Sequence, residues 1–363
     1  MIIIIPPNYQ KGFEGFIREC SLNGHHVLST SPQFEYVSIL PSFSWTIIFK
    51  KLDRAALWIP SLYHLLKVIK KTRESEVHLI GEPTYLANII IYLALKISGH
   101  EPKWSCRVAQ NMKFWMPLIF WLPIELFKKN NCLALPVSKL SQNLAHIHYG
   151  ITNTKILPNG FPSEFSTPIK TKSTLRHRIT FIGNFLDRKG INDFLELSKA
   201  NNINLEFKFT AIGCSKEQIS FYKKEFPKVE FQKKMERENL IKFLDETACL
   251  IVPSKTVIHN DLKGIQRIIK VPWSEQFGRV IIEAYSRGAN VIAYKSGAIP
   301  EYIYNKKYLV NKNNLEDLKD LLSKFLTSKK HHQLEFSNTL IEYSKQFKWE
   351  VIYKKFLTLR SGS

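Results

Sequence analysis

Two carboxylates, Glu275 and Glu283, bracket the run Glu-Gln-Phe-Gly-Arg-Val-Ile-Ile-Glu, with seven residues between them and Gly278 near the start. The chain then continues through Ala284–Arg287 to Gly288 and the apolar run Val291-Ile292-Ala293. This pattern reads as a loop, a short amphipathic helix, a glycine stop and a buried strand. A loop that ends at a helix N-terminus presents free backbone N–H groups, and anions bind there. With the helix starting near Phe277, Glu283 lies further in by about 9 Å along the axis. A nucleoside diphosphate on the helix end then brings Glu283 to a ribose diol. Glu275, just outside the helix, is placed to hold a sugar hydroxyl.

A second constellation lies upstream, in Gly183-Asn184-Phe185-Leu186-Asp187-Arg188-Lys189-Gly190. It follows a short apolar run, so Arg188 and Lys189 stand at the carboxyl end of a strand, beside the start of a helix. Two fixed cations there neutralise a diphosphate that gains charge as its bond to a sugar breaks. Gly190 lets the backbone turn tightly.

The elements that must position these groups follow from the hydrophobic pattern. Ile2–Ile5 reads as a buried strand, Lys11–Gly15 as a small glycine-containing loop, and Phe16–Leu22 as a helix ending at Asn23-Gly24. Strands are expected at His26–Ser29, Glu76–Ile80, Cys106–Ala109 and Cys132–Val137, with a helix ending at Ile97. Turn residues crowd Leu157–Pro162, and the polar stretch Ser166–Arg178 follows. A second alternation then begins. Its strands are Arg178–Ile182, Glu206–Ile212, Val229–Gln232, Cys249–Pro253 and Asn290–Tyr294, with a helix at Ile191–Lys199. Such alternation predicts an α/β chain with two doubly wound parallel sheets, divided near residue 165, and a cleft between the domains. Ligands in such sheets bind outside the carboxyl ends of the strands. Lys255–Lys270 reads as an insertion carrying His259, Lys263, Arg267 and Lys270.

Composition narrows the class. At 363 residues the chain exceeds one ordinary core, and 44% hydrophobic content suits a packed globular protein. Cys20, Cys106, Cys132, Cys214 and Cys249 show no CxxC or Cys/His spacing. They therefore favour neither a disulfide framework nor a zinc site, and read as buried thiols in a reducing cytoplasm. The formal net charge is +21, spread over both halves. That field suits nucleotide phosphates, phospholipid surfaces or nucleic acid, or reflects a Lys-rich, Asn-rich bias. No secretory signal is read, and Phe114–Phe127 is interrupted by Pro117 and Pro123, too short to span a bilayer.

Taken together, the motifs resemble those of the family-4 glycosyltransferases, which have the GT-B fold of two Rossmann-like domains. The residues that carry the resemblance are Gly183 with Arg188-Lys189-Gly190, Pro253-Ser254, Glu275–Val280 through Glu283-Ala284, and Gly297-Ala298-Ile299-Pro300-Glu301. Pro158-Asn159-Gly160, Phe347–Glu350 and Asn23–Val27 match more weakly. The resemblance implies retaining, metal-independent sugar transfer from a nucleotide-diphosphate donor, of hexosyltransferase type, with no cofactor. By position, Glu275, Arg188 and Lys189 are the catalytic group. Glu283, the amides of Phe277 and Gly278, Gly183, Glu301, and Gly12 and Gly15 of an N-terminal glycine loop are donor-binding. It further implies an acceptor-binding domain over 1–165, a nucleotide-sugar domain over 166–345 and a helix over 346–360 that crosses back to the first. The family often has Arg after the first Gly of the upstream motif; here it is Asn184. Many members carry His beyond the strand near Ala109; here Gln110-Asn111 stands there.

Other readings stand beside these. Glu82, Gln110 and Asn111, past strand ends, are either acceptor contacts or structural. Trp45–Lys51 with Trp58, Tyr63, Lys67, Lys70 and Lys71, and Phe114–Phe127 with Lys128-Lys129, suit an anionic membrane interface or are core helices. The expected partners are a nucleotide sugar, a glycan or lipid-linked acceptor and the membrane face, in cytoplasmic cell-surface glycan assembly. A nucleotide-sugar epimerase of the same fold is the alternative. A nucleic-acid-binding protein fits less well, because no aromatic RNA-reading motif or basic recognition helix is present.

Overall fold

The computed structural model describes residues 1–6, 10–29, 32–44, 58–109, 118–167, 176–199, 207–256, 274–328 and 330–361. They fall into two compact units, Met1–Gly160 with Trp349–Ser363, and Phe161–His259 with Pro272–Lys348. Gln110, Asn111, Trp45–Lys51, Phe114–Pro117 and nearly all of the Lys255–Lys270 stretch lie outside the described residues.

The first unit runs β1 (Ile2–Ile5), α1 (Gln10–Leu22), β2 (His26–Ser29), β3 (Ser38–Ile39), β4 (Ser42–Ser44), β5 (Trp58–Pro60), α2 (Leu62–Thr72), β6 (Val77–Leu79), α3 (Ala87–Ile97), β7 (Trp104–Val108), α4 (Leu118–Lys129), β8 (Leu133–Pro136) and α5 (Lys139–Tyr149). Among the described residues six of these strands form one parallel sheet, in the order β3-β2-β1-β6-β7-β8. All four isoleucines of β1 are buried, as a strand covered on both faces requires. The antiparallel pair β4–β5 was not visible in the strand-helix pattern.

The second unit runs β9 (Arg178–Ile182), α6 (Ile191–Leu197), β10 (Lys208–Cys214), α7 (Lys216–Glu225), β11 (Val229–Lys233), α8 (Arg237–Glu246), β12 (Thr247–Val252), α9 (Arg279–Ser286), β13 (Asn290–Tyr294), α10 (Ile299–Tyr302), β14 (Leu309–Val310), α11 (Leu315–Thr327) and α12 (Lys330–Ser344). Its sheet is also parallel, in the order β11-β10-β9-β12-β13-β14. The winding reverses between β9 and β12, and a crevice opens at such a reversal, beyond the carboxyl ends of the two strands. At the opposite end, buried Arg287 forks onto Asp245 (2.6 and 2.9 Å) and donates to the carbonyl oxygens of Phe165 and Thr167. That fork ties the end of α9 to α8 and to the segment Phe165–Thr167.

The last helix, α13 (Trp349–Ser361), belongs to the first unit and packs on α1. Trp349 explains two glycines. A Cβ on Gly15 would come within 2.1 Å of its ring, and one on Gly160 within 2.5 Å. The loop expected over Lys11–Gly15 is therefore corrected: Gly12 and Gly15 lie inside α1, which is kinked at Phe13 (φ −120°, ψ 15°). Seen in sequence, glycines suggest a loop; here one of them admits a bulky indole against a helix.

Pro123 lies inside α4. Trp121 and Leu122 are exposed on that helix. Trp58 is fully buried in β5, whereas Tyr63, Lys67, Lys70 and Lys71 line the exposed side of α2. No described helix is long and apolar enough to cross a membrane. All five cysteines are free and buried.

Candidate active site

The site is built at the winding reversal of the second sheet. Gly183 leaves β9, its amide donating to the Ile212 carbonyl at 3.0 Å. The chain then forms a tight turn over Asp187–Lys189 and enters α6 through Gly190. Gly190 has φ +76°, and a Cβ there would lie 2.0 Å from the Pro253 carbonyl oxygen. Only glycine allows the turn to press this closely on the end of β12. The contact is reinforced because the Lys255 amide donates to the Arg188 carbonyl at 3.0 Å. Arg188 and Lys189 are thereby fixed at the mouth of the reversal.

Glu275 meets them there. Lys189 Nζ stands 2.6 Å from Glu275 Oε2, with side chains 25% and 13% exposed. Ser254 Oγ donates to the same oxygen at 3.3 Å. The Glu275 carbonyl accepts the Ala298 amide at 2.8 Å, and a Cβ on Gly297 (φ +58°) would lie 2.1 Å from that carbonyl oxygen. The Gly297–Glu301 motif thus clamps the backbone of Glu275. Burial pulls the half-buried Arg188 guanidinium below its ordinary value, and the charge of Glu275 opposes that shift.

Gly278 is buried and caps α9, which starts at Arg279 rather than near Phe277. Glu283 is therefore one helical turn into α9, about 6 Å along its axis, not the longer distance expected. Half-buried Glu283 has its carboxyl raised above the ordinary value by burial, with Arg279 and Arg237 opposing. The Phe277 ring is 2% exposed and packs on Tyr302 (4.2 Å between ring centres) and Phe347 (6.1 Å). Its side chain is core, so any ligand contact must come from its backbone. Glu301 is exposed on the short α10.

One supporting cluster escaped the sequence pattern. Asp193 accepts Lys255 Nζ (2.6 Å) through one oxygen and the Tyr294 hydroxyl (2.7 Å) through the other. These residues come from α6, the loop after β12 and the end of β13, so no local spacing could reveal them. In the first unit, buried Glu82 accepts the Ala109 amide at 2.7 Å, pinning the end of β7. Among the described residues, no three His, Cys, Asp or Glu side chains converge where a metal ion could be held.

Comparison with known proteins follows this geometry. A family model described as glycosyl transferases group 1 matches residues 164–347, more than half of the chain. No curated protein matches by sequence. Among solved structures, a glycosyltransferase from Rickettsia africae aligns with a TM-score of 0.74 at 16% identity, covering 99% of this chain and 97% of that one. HepE from Anabaena, in complex with UDP, aligns at 0.68 and 14%, covering 100% and 99%. WaaG, a glycosyltransferase involved in lipopolysaccharide biosynthesis, aligns at 0.64 and 13%, covering 100% of each. At these identities the likeness is one of fold.

Proposed function

The chain belongs to the glycosyl transferases of group 1, with the GT-B fold of two Rossmann-like domains, and from that premise we propose that it transfers a hexose from a nucleotide-diphosphate donor to a hydroxyl acceptor with retention and without a metal. The observation that carries this reading is the meeting of Lys189, Arg188 and Glu275 at the reversal of the second sheet. Cations and a carboxylate held side by side match a ligand with a diphosphate next to a polyol.

In this reading Arg188 and Lys189 hold the diphosphate, and Glu275 accepts a hydroxyl of the sugar. The amides of Phe277 and Gly278, at the start of α9, face the phosphates. Glu283 takes the ribose hydroxyls, Gly183 leaves room at the end of β9, and Glu301 borders the pocket. Gly12 and Gly15, expected on the donor side, lie in α1 of the first unit, where Gly15 packs against Trp349. The sugar C1–O bond to the terminal phosphate breaks, and a C1–O bond to the acceptor forms on the same face. The acceptor proton passes to the departing phosphate, whose growing charge the two cations stabilise. No side chain is required as nucleophile.

The proposed acceptor is a glycan or lipid-linked glycan of the cell surface, and the exposed Tyr63, Lys67, Lys70 and Lys71 of α2 suit contact with anionic lipid. HepE has been solved with UDP and with UDP-glucose, so UDP-sugars are the first donors to test. UDP-, GDP- and ADP-sugars are to be screened by thermal shift, then by NMR of the product anomer. A ligand at a hundredfold its dissociation constant adds about 2.7 kcal/mol of stability. Absence of stabilisation by every nucleotide sugar, or a product of inverted configuration, would refute the proposal. Conversion of donor without acceptor would indicate an epimerase instead.

A further inference from the structure

Lys189 and Glu275 have opposite duties in the proposed reaction, yet they contact each other at 2.6 Å. A phosphate placed on Lys189 must share its ammonium with a carboxylate. Glu275 has little freedom to withdraw. Ser254 Oγ holds the same oxygen at 3.3 Å, the Ala298 amide holds its carbonyl at 2.8 Å, and Gly297 closes on its backbone. Its side chain is 13% exposed, so water screens it poorly.

We infer that Glu275 is a specificity-determining residue that makes the site hold the intact nucleotide sugar more tightly than the nucleoside diphosphate left after transfer. The inference rests on the reading of this site as a nucleotide-sugar site. In the intact donor, sugar hydroxyls donate to Glu275 and offset its repulsion of the phosphates. Transfer removes those hydroxyls, and once the proton taken from the acceptor is lost to water the terminal phosphate carries an added negative charge. The carboxylate then competes with the diphosphate for Lys189, and the product is released. One ion pair thus serves both donor choice and turnover.

Removing the carboxylate charge separates this role from simple sugar binding. Calorimetric titration of wild type, Glu275→Gln and Glu275→Ala is to use UDP, GDP and ADP, each alone and as its sugar. Wild type is expected to prefer the sugar. Both variants should bind the diphosphate about three- to tenfold more tightly than wild type, bind the sugar more weakly, and so reverse the preference. In a Lys189→Ala background the gain should vanish, because the competition needs that ammonium. Gln keeps the hydrogen bond from Ser254 and Ala does not, so agreement between the two points to charge. Diphosphate binding no tighter in either variant than in wild type would overturn the inference while the site reading stands. Wild type that binds neither diphosphates nor sugars would overturn both.

Discussion

The two parallel sheets have the same strand order and reverse their winding at the same place, between the first strand and the fourth, but they use that place differently. Past β9 and β12 the second sheet holds Arg188, Lys189, Ser254 and Glu275, partly exposed or facing one another. Past β6 the first sheet holds Glu82, which is 4% exposed and bound to the Ala109 amide. Beside it Asn88 ties together the carbonyls of Glu82, Pro83 and Tyr85. One reversal brings cations and a carboxylate together, and the other binds its carboxylate to its own backbone. Topology supplies the location; the partners of the charged groups differ between the two sheets.

The contrast breaks most visibly at Arg188 and Lys189. Alanine at either should lower kcat by about two orders of magnitude, since such charge contacts carry about 2.7–4 kcal/mol in a transition state. Rates equal to wild type in both variants would remove the distinction between the sheets. Glu82→Ala should act on stability, because it leaves the part-buried Ala109 amide without that acceptor, at a cost of about 1–3 kcal/mol. For a unit of this size that is a fall in Tm of about 2–4 °C per kcal/mol, while turnover per folded molecule stays within a few-fold. A hundredfold loss of turnover at unchanged Tm would instead make Glu82 an acceptor residue.

A smaller effect is expected at Glu283. Its carboxyl is raised by burial, so the folded chain holds that proton more tightly than the unfolded chain. Its contribution is therefore best at low pH and is lost as pH rises through the window above the ordinary carboxylate value. Glu283→Gln escapes this loss. Its Tm relative to wild type should climb between about pH 4 and about pH 7, while donor affinity falls about tenfold. A Tm difference independent of pH would contradict the buried-charge account.

The smallest effect belongs to His78 in the first unit. It is fully buried, bonded to Ser105 Oγ at 2.8 Å, and held below the ordinary histidine value by burial and by Arg360 and Arg107. A lowered folded value means stability is present above the ordinary histidine value and is lost as pH falls through it. His78→Gln should flatten that acid loss in thermal melts between about pH 7 and about pH 5. Equal slopes in the two proteins would show that His78 does not contribute.

Much of the second unit was legible because its determinants are local. Arg188-Lys189-Gly190 and the span Glu275–Glu283 each lie within one loop and one helix, so type and spacing carried the signal. Asp193 with Lys255 and Tyr294 was not legible, because the three are joined only by a shared carboxylate across sequence-distant elements. Gly12 and Gly15 misled for a related reason. The residue that accounts for Gly15 is Trp349, at the far end of the chain.

By itself the sequence determined the α/β alternation, the two sheets and which residue types stand at the strand ends, since hydrophobic period and turn chemistry are short-range properties. Only the tertiary structure decided which of those residues meet. The 2.6 Å contact of Lys189 with Glu275 joins positions from separate loops. The burial of Glu82 against Ala109 depends on how two strands and a helix pack. Contact and desolvation, unlike spacing, exist only once the chain has folded back on itself.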